Sequence, residues 1–90
     1  MYKIIRPQSY QKKERKFFKR HPDLINQYTK TLKMLSLNPN HTALRLHEIK
    51  QKKCHSVAIN MQYRILLTLK MLDNGDIVLI NLGDHDIYKH

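Results

Sequence analysis

The triplet Asn38-Pro39-Asn40 divides this chain into two halves with different hydrophobic periods, and no other feature limits its fold as much. Before the triplet, apolar residues recur at helical spacing: Tyr10, Phe17 and Phe18 lie on one face, and Leu24, Ile25, Tyr28, Leu32 and Leu35 on another. After it they alternate, as strand residues do. The first helix is expected over residues 10–20 with Ser9 as its N-cap, and His21-Pro22-Asp23 ends it. A second helix starts there, with Pro suited to the first helical position and Asp to the positive end of the helix dipole. It stops at the Asn-Pro turn.

The alternating half gives strands over residues 43–49, 55–60, 63–70 and 76–82. In the first of these, Leu44, Leu46 and Glu48 fall opposite Arg45, His47 and Ile49, so the strand is mixed in character. Asp73-Asn74-Gly75-Asp76 is a hairpin turn, because Asn-Gly supplies positive φ. A short strand over residues 2–6, ended by Pro7, precedes the helices. The expected fold is α+β, one domain over residues 1–90: an N-terminal strand, a two-helix hairpin, then a mostly antiparallel sheet of about four strands in a second layer.

Ninety residues hold one core, too few for a second catalytic lobe or a nucleotide-binding half. Their 17 Lys and Arg against 7 Asp and Glu give a net charge of +10. The excess is confined to the first 72 residues; after them Asp73, Asp76, Asp84 and Asp86 outnumber Lys89. Such a field draws nucleic acid, an acidic protein or an anionic membrane surface, and charge alone does not choose among them. Residues 1–6 lack a secretory apolar segment and no run approaches the roughly 20 apolar residues of a membrane span, so a cytoplasmic protein is expected. The single Cys54 allows neither an internal disulfide nor a cysteine-based zinc site, in keeping with a reducing compartment.

The 6 histidines do not make a metal site: no His-x-x-x-His pair falls on a helix, and adjacent residues such as Asp84-His85-Asp86 point apart on extended chain. No metal or other cofactor is expected. Cys54 as a nucleophile is equally weak, with His55 beside it in sequence but on the opposite face. A different set is more suggestive. His47, Arg64, His85 and Tyr88 lie in segments that a sheet brings together. Cleaving RNA with its own 2'-hydroxyl needs a base for that proton, a cation at the scissile phosphate and an acid for the leaving 5'-oxygen. Histidine can be base or acid near neutral pH, Arg carries a fork matched to phosphate oxygens, and Tyr can stack on a base. Composition alone favours the plainer reading, in which His47 and His85 are ordinary half-buried strand residues and Arg64 a surface cation. Lys12, Lys13 and Lys16 on the first helix, with Lys50, Lys52 and Lys53 between two strands, are the candidate RNA-binding cations.

The segments FFKRHPDLINQYTKTLKMLSLNPNHTALRLHEIK, VAINMQYRILLTL and VLINLGDHDIY together resemble the RelE/ParE superfamily of bacterial type II toxins, over residues from about Tyr10 to Tyr88. The shared marks are the Arg-His-Pro-Asp break, the Asn-Pro turn, the Leu-x-x-His-like strand, the Tyr-Arg-Ile strand and the closing Gly-x-His-x-x-Tyr. For the RelE-, YoeB-, HigB- and YafQ-like branches the resemblance implies metal-independent cleavage of messenger RNA, commonly on the ribosome. For the ParE branch it implies inhibition of DNA gyrase without a nuclease site. Either branch implies a cognate antitoxin, an acidic or amphipathic segment wrapped on the basic cleft.

Residue by residue, Arg64 falls on the family's phosphate-stabilising arginine, His85 on the proton-transferring histidine and Tyr88 on the terminal aromatic that helps hold substrate. His47 matches the histidine on the first strand after the helices in YafQ-like members and is the chosen general base, with His55 in reserve. Cys54-His55-Ser56-Val57-Ala58 departs from the Trp-Ser or Arg-rich stretch common there, so the lysines that RelE itself uses are absent.

Overall fold

The computed structural model describes residues 2–70, 75–84 and 87, and for Lys70 the backbone alone. The elements run β1 (Lys3–Ile5), α1 (Gln8–Arg20), α2 (Ile25–Leu37), β2 (His47–Ile49), β3 (Cys54–Ala58), β4 (Arg64–Lys70) and β5 (Asp76–Gly83). The five strands form one sheet in the order β1-β5-β4-β3-β2, antiparallel except where β1 pairs with β5. This is the α+β arrangement expected from the change of period, with β1 joined to the sheet as its one parallel edge.

The helices cover one face of the sheet. Tyr10 of α1, with Tyr28 and Leu35 of α2, packs against Val57, Ile65, Leu67, Ile77 and Leu79. Inward residues alternate along each strand because successive side chains point to opposite faces. Burying a side chain such as Leu67 completely contributes about 2 kcal/mol from the apolar surface it removes from water. The second face carries a smaller cluster of Cys54, Leu66 and Ile87, flanked by Ile49 and Ile80.

Glu14 lies one helical turn after Tyr10 and so falls on the apolar face of α1. It is buried because its carboxylate accepts from the Arg6 guanidinium and the Tyr28 hydroxyl, while the Tyr10 and Tyr28 hydroxyls are 2.7 Å apart. One carboxylate thus ties the segment before α1 to both helices. Backbone bonds fix the ends: Tyr2 N–H donates to Ser36 C=O at 2.7 Å, and Asn38 Oδ1 accepts from Asn40 N–H at 3.0 Å to close the Asn-Pro turn.

The structure corrects three local expectations. α1 begins at Gln8, not after Ser9; Pro7 is the N-cap residue, without a side-chain cap, and its carbonyl accepts from Gln11 N–H at 2.9 Å. The second helix is preceded by a 3-10 turn over Pro22–Leu24, so the α-helix proper starts at Ile25, whose side chain is largely outward. The strand expected over residues 43–49 is confined to His47–Ile49. Thr42–Leu44 form a 3-10 turn and Arg45 is left-handed at φ 49°, a conformation that breaks extended backbone. The expected hairpin turn at residues 73–76 lies mostly outside the described residues, but Gly75 has φ +78°, where glycine is favoured.

Candidate active site

Strand register places the two described site residues on the same face. Arg64 begins β4 opposite Ala58, and two residues further along β3 lies Ser56, which is paired with His47 of β2. Val57 and Ile65, one residue from Ser56 and Arg64, point into the helix-side core, so His47, Ser56 and Arg64 belong to the other face, which is buried at Ser56 and open at His47. Directly opposed residues on one face bring their Cβ atoms about 5 Å apart. Ser56 therefore stands between the arginine and the histidine.

Three features hold Arg64. Its Nε donates to the Ser56 Oγ at 3.0 Å and its Nη2 to the Arg45 C=O at 2.7 Å. The left-handed turn at Arg45 sends the chain from the buried Leu44 into β2 and places that carbonyl within reach of the guanidinium. Upstream, the Asn60 Oδ1 accepts from the N–H groups of Gln62 at 2.9 Å and Tyr63 at 2.8 Å, while Ile59 N–H donates to Tyr63 C=O at 2.9 Å, which closes the turn that starts β4 at Arg64. The two side-chain bonds use two of the guanidinium's five N–H donors, so a planar cation is fixed with donors to spare. Such a group suits a tetrahedral anion.

His47 is exposed beside it, and His55 lies on the opposite face, paired with Glu48 and Leu67. The Nδ1 of His55 is buried and, among the described residues, has no hydrogen-bond partner. The reserve base is therefore separated from Arg64 by the sheet, and of the two histidines His47 is the one on Arg64's face. His85 and Tyr88 lie outside the described residues. Gly83 and Ile87, which flank His85 in the sequence, are described: Gly83 is paired with Arg64, and Ile87 packs on Cys54 and Leu66.

The expected RNA-binding lysines form two groups rather than one. Lys13 and Lys16 line a cavity of about 500 Å³ between α1 and the end of β5, and Lys12 is exposed elsewhere on α1. Lys50 and Lys52 lie in the 3-10 turn after β2, followed by left-handed Lys53 at φ 52°, beside Cys54. That is the opposite end of β3 from Ala58, the partner of Arg64, roughly 13 Å along the strand.

The sequence reading missed Ser56, Arg45 and the ring cluster beside the cavity. Phe17, His21 and Tyr63 pack edge-to-face or tilted, with ring centroids 4.7 to 5.2 Å apart. The i, i+4 spacing of Phe17 and His21 at the end of α1 was the available signal. Ser56 carried none, since a strand serine reads as incidental until its cross-strand partners are known. Among the described residues no three His, Cys, Asp or Glu side chains gather where they could hold a metal, and no helix is long and apolar enough to cross a membrane. Burial pushes the Cys54 thiol up from its ordinary pKa, so its reactive thiolate is disfavoured.

No family model matches the chain, and no curated protein does; the similarities are to solved structures. YafQ from E. coli superposes with a TM-score of 0.75 at 16% identity, covering 97% of each chain. YoeB of the YoeB–YefM complex from Staphylococcus aureus gives 0.68 at 17% identity, over 94% of this chain and 98% of that one. A YoeB/ParE toxin from Agrobacterium tumefaciens gives 0.68 at 12% identity, over 92% and 98%. At these identities the likeness is one of fold, and it spans nearly the whole chain. The protein has the fold of the RelE/YoeB/YafQ-like toxins, the α+β fold that its sequence motifs implied.

Proposed function

We propose that this protein is the toxin of a type II toxin-antitoxin pair and acts as a metal-independent endoribonuclease on messenger RNA, in the cytoplasm and in association with the ribosome. The observation that carries this reading is the fixed Arg64 guanidinium on the open face, with His47 across Ser56 from it. In the proposed reaction a base removes the proton from a ribose 2'-hydroxyl, and that oxygen attacks the adjacent phosphorus. Charge builds on the phosphate oxygens, where the Arg64 fork stabilises it. The P–O5' bond breaks, and an acid protonates the leaving oxygen. The products are a 2',3'-cyclic phosphate and a free 5'-hydroxyl. His47 and His85 are assigned to the two proton transfers, His47 as the base, and Tyr88 to holding the substrate. The fold it shares with YafQ and with YoeB, a toxin seen in complex with YefM, supports both the toxin role and an antitoxin partner.

The test is cleavage of labelled messenger RNA, naked and on translating ribosomes, with a chelator present. The proposal expects cleavage that survives chelation and falls at least about 100-fold in Arg64→Ala, the scale for loss of one transition-state donor group. Cleavage by Arg64→Ala at the parental rate, or cleavage abolished by the chelator, overturns it. A gyrase supercoiling assay run alongside separates it from the ParE-like activity: inhibition of supercoiling with no RNA cut overturns the ribonuclease assignment.

A further inference from the structure

The cavity between α1 and β5 has a composition that the cleavage chemistry does not use. Strand β1 pairs with β5 only from Asp76 to Val78, so among the described residues β5 from Leu79 onward has no strand partner on that edge, and α1 packs against β5. The Lys13 Nζ reaches the Ile80 C=O at 3.5 Å. Lys13, Lys16 and Arg20 follow at i, i+3 and i+7 and form one stripe of α1. Beside it, Phe17 of α1 and His21, the residue that caps the helix C-terminus, form a second stripe that meets Tyr63, the residue before Arg64. Both stripes line the same cavity. On its other side are Asn81, whose Oδ1 accepts the Leu82 N–H at 2.9 Å, and Gly83, against which the Ile87 side chain packs where a Cβ would stand.

We propose that this cavity is a nucleotide-binding subsite, which takes one unstacked base of single-stranded RNA against Tyr63 and His21 and its phosphate on Lys13, Lys16 and Arg20. Phe17 and Tyr63 also pack against the helix-side core; where they line the cavity with His21, aromatic rings stand beside cations, the combination that single-stranded nucleic acid requires. The volume suits one nucleotide and is small for a folded partner. Asn81, its oxygen engaged, offers amide N–H donors to a base edge. Gly83, which lines the cavity, is paired with Arg64, and Ile87, which lines it too, belongs to the cluster with Leu66, so the cavity adjoins the face that carries Arg64. The identity of the polymer as RNA rests on the function proposed above; the shape and chemistry of the subsite do not.

The experiment is a titration of the full-length protein with the four 5'-ribonucleoside monophosphates, with adenosine and with inorganic phosphate, followed by backbone and aromatic NMR signals. Monophosphates are expected to shift Tyr63, His21, Gly83 and Lys16 together and to bind more tightly than either adenosine or phosphate alone. Tyr63→Leu and His21→Ala should each weaken monophosphate binding about 5- to 100-fold, the range for loss of one base–aromatic stack, while Tyr63→Phe retains it. Phosphate binding as tight as that of the monophosphates, unaffected by Tyr63→Leu, overturns the proposal and leaves only an anion patch. So do shifts confined to Lys50–Lys53, or a poly-glutamate peptide that displaces the nucleotide with equal affinity in protein and Tyr63→Leu. The two readings fail separately. Nucleotides that bind here while RNA stays intact remove the ribonuclease and keep the subsite; RNA cut by an Arg64-dependent route with no monophosphate effect on these signals does the reverse.

Discussion

Arg64 is anchored by Ser56: its Nε donates to an Oγ at 3.0 Å that belongs to a fully buried side chain, itself opposite His47 in the neighbouring strand. Removing the hydroxyl takes away one directional restraint on the guanidinium while leaving the Arg45 carbonyl in place. A hydrogen bond of this kind to a charged group contributes about 1.5 kcal/mol or somewhat more. Ser56→Ala is therefore expected to lower the rate constant of RNA cleavage about tenfold with KM changed less than threefold, as measured in single-turnover and steady-state assays. A parallel loss in Arg64→Ala, not deepened by adding Ser56→Ala, places both effects on one group.

How much of this was legible beforehand follows from the range of each interaction. The helical hairpin and the sheet were readable because period and breakers are local: Asn38-Pro39-Asn40 forces a turn whatever surrounds it. Arg64 and His47 were reached through motif resemblance, and their shared face follows from strand parity once the register is known. Ser56 and the Arg45 carbonyl were invisible, since their roles depend on which strand lies next to which. Arg45 also defeated the alternation, as a left-handed residue has no periodic signature in sequence. Glu14 read as one charge in a basic run, and only Arg6 and Tyr28 explain its burial.

RNA affinity should fall steeply with salt, because much of it is phosphate neutralisation by Lys and Arg. The structure divides the candidates. Lys13 and Lys16 line the cavity that adjoins the Arg64 face, whereas Lys50, Lys52 and Lys53 lie at the far end of β3. Removing one lysine that neutralises a phosphate reduces the slope of log K against log salt by about 0.7 on single strands. In an Arg64→Ala background, Lys13→Ala with Lys16→Ala is expected to lower the slope by about 1.4, and substitution of the three far lysines by less than half of that. Fluorescence anisotropy with a short labelled RNA measures both.

The carboxylate of Glu14 organises the other end of the molecule. Without it, the Tyr28 hydroxyl and the Arg6 guanidinium lose their acceptor inside the fold. Removing one partner of such a network costs about 3 kcal/mol, less than for a pair sealed from water because Arg6 is half exposed. Glu14→Ala should thus lower the urea midpoint with little change in the slope m. Lys12→Ala, an exposed change on the same helix, should alter stability by no more than about 0.5 kcal/mol.

The same network sets an alkaline limit. Burial raises the pKa of both Tyr10 and Tyr28 above the usual 10.0, and for Tyr28 the nearby Tyr10 and Glu14 add to it. In the unfolded chain both hydroxyls ionise near pH 10, while in the fold they keep their protons. The unfolded state then binds fewer protons than the folded state, and stability declines as pH rises. The contribution is complete below about pH 9 and is lost progressively above about pH 10. Urea unfolding at pH 8, 10 and 11 should show the midpoint falling slightly across the lower interval and mostly across the upper one. Tyr28→Phe, already weakened at pH 8 by the lost bond to Glu14, should show a smaller alkaline fall.

Cys54 offers a probe of the open face. Its thiol is buried against Leu66 and Ile87, and burial raises its pKa, so both access and ionisation oppose reaction in the folded protein. Labelling at pH 8 therefore requires an opening of that cluster, and an opening that costs about 3 kcal/mol slows it on the order of 100-fold relative to unfolded protein. Ile87→Ala removes one of the three buried side chains of the cluster that holds Cys54 and leaves the helix-side core residues themselves unchanged. Its labelling by a thiol reagent should accelerate at least about tenfold, while stability falls by only about 1 to 2 kcal/mol, the cost of a partly relaxed cavity at the edge of a small cluster. Labelling that accelerates only in step with global unfolding would show that Ile87 and Cys54 open together with the whole sheet.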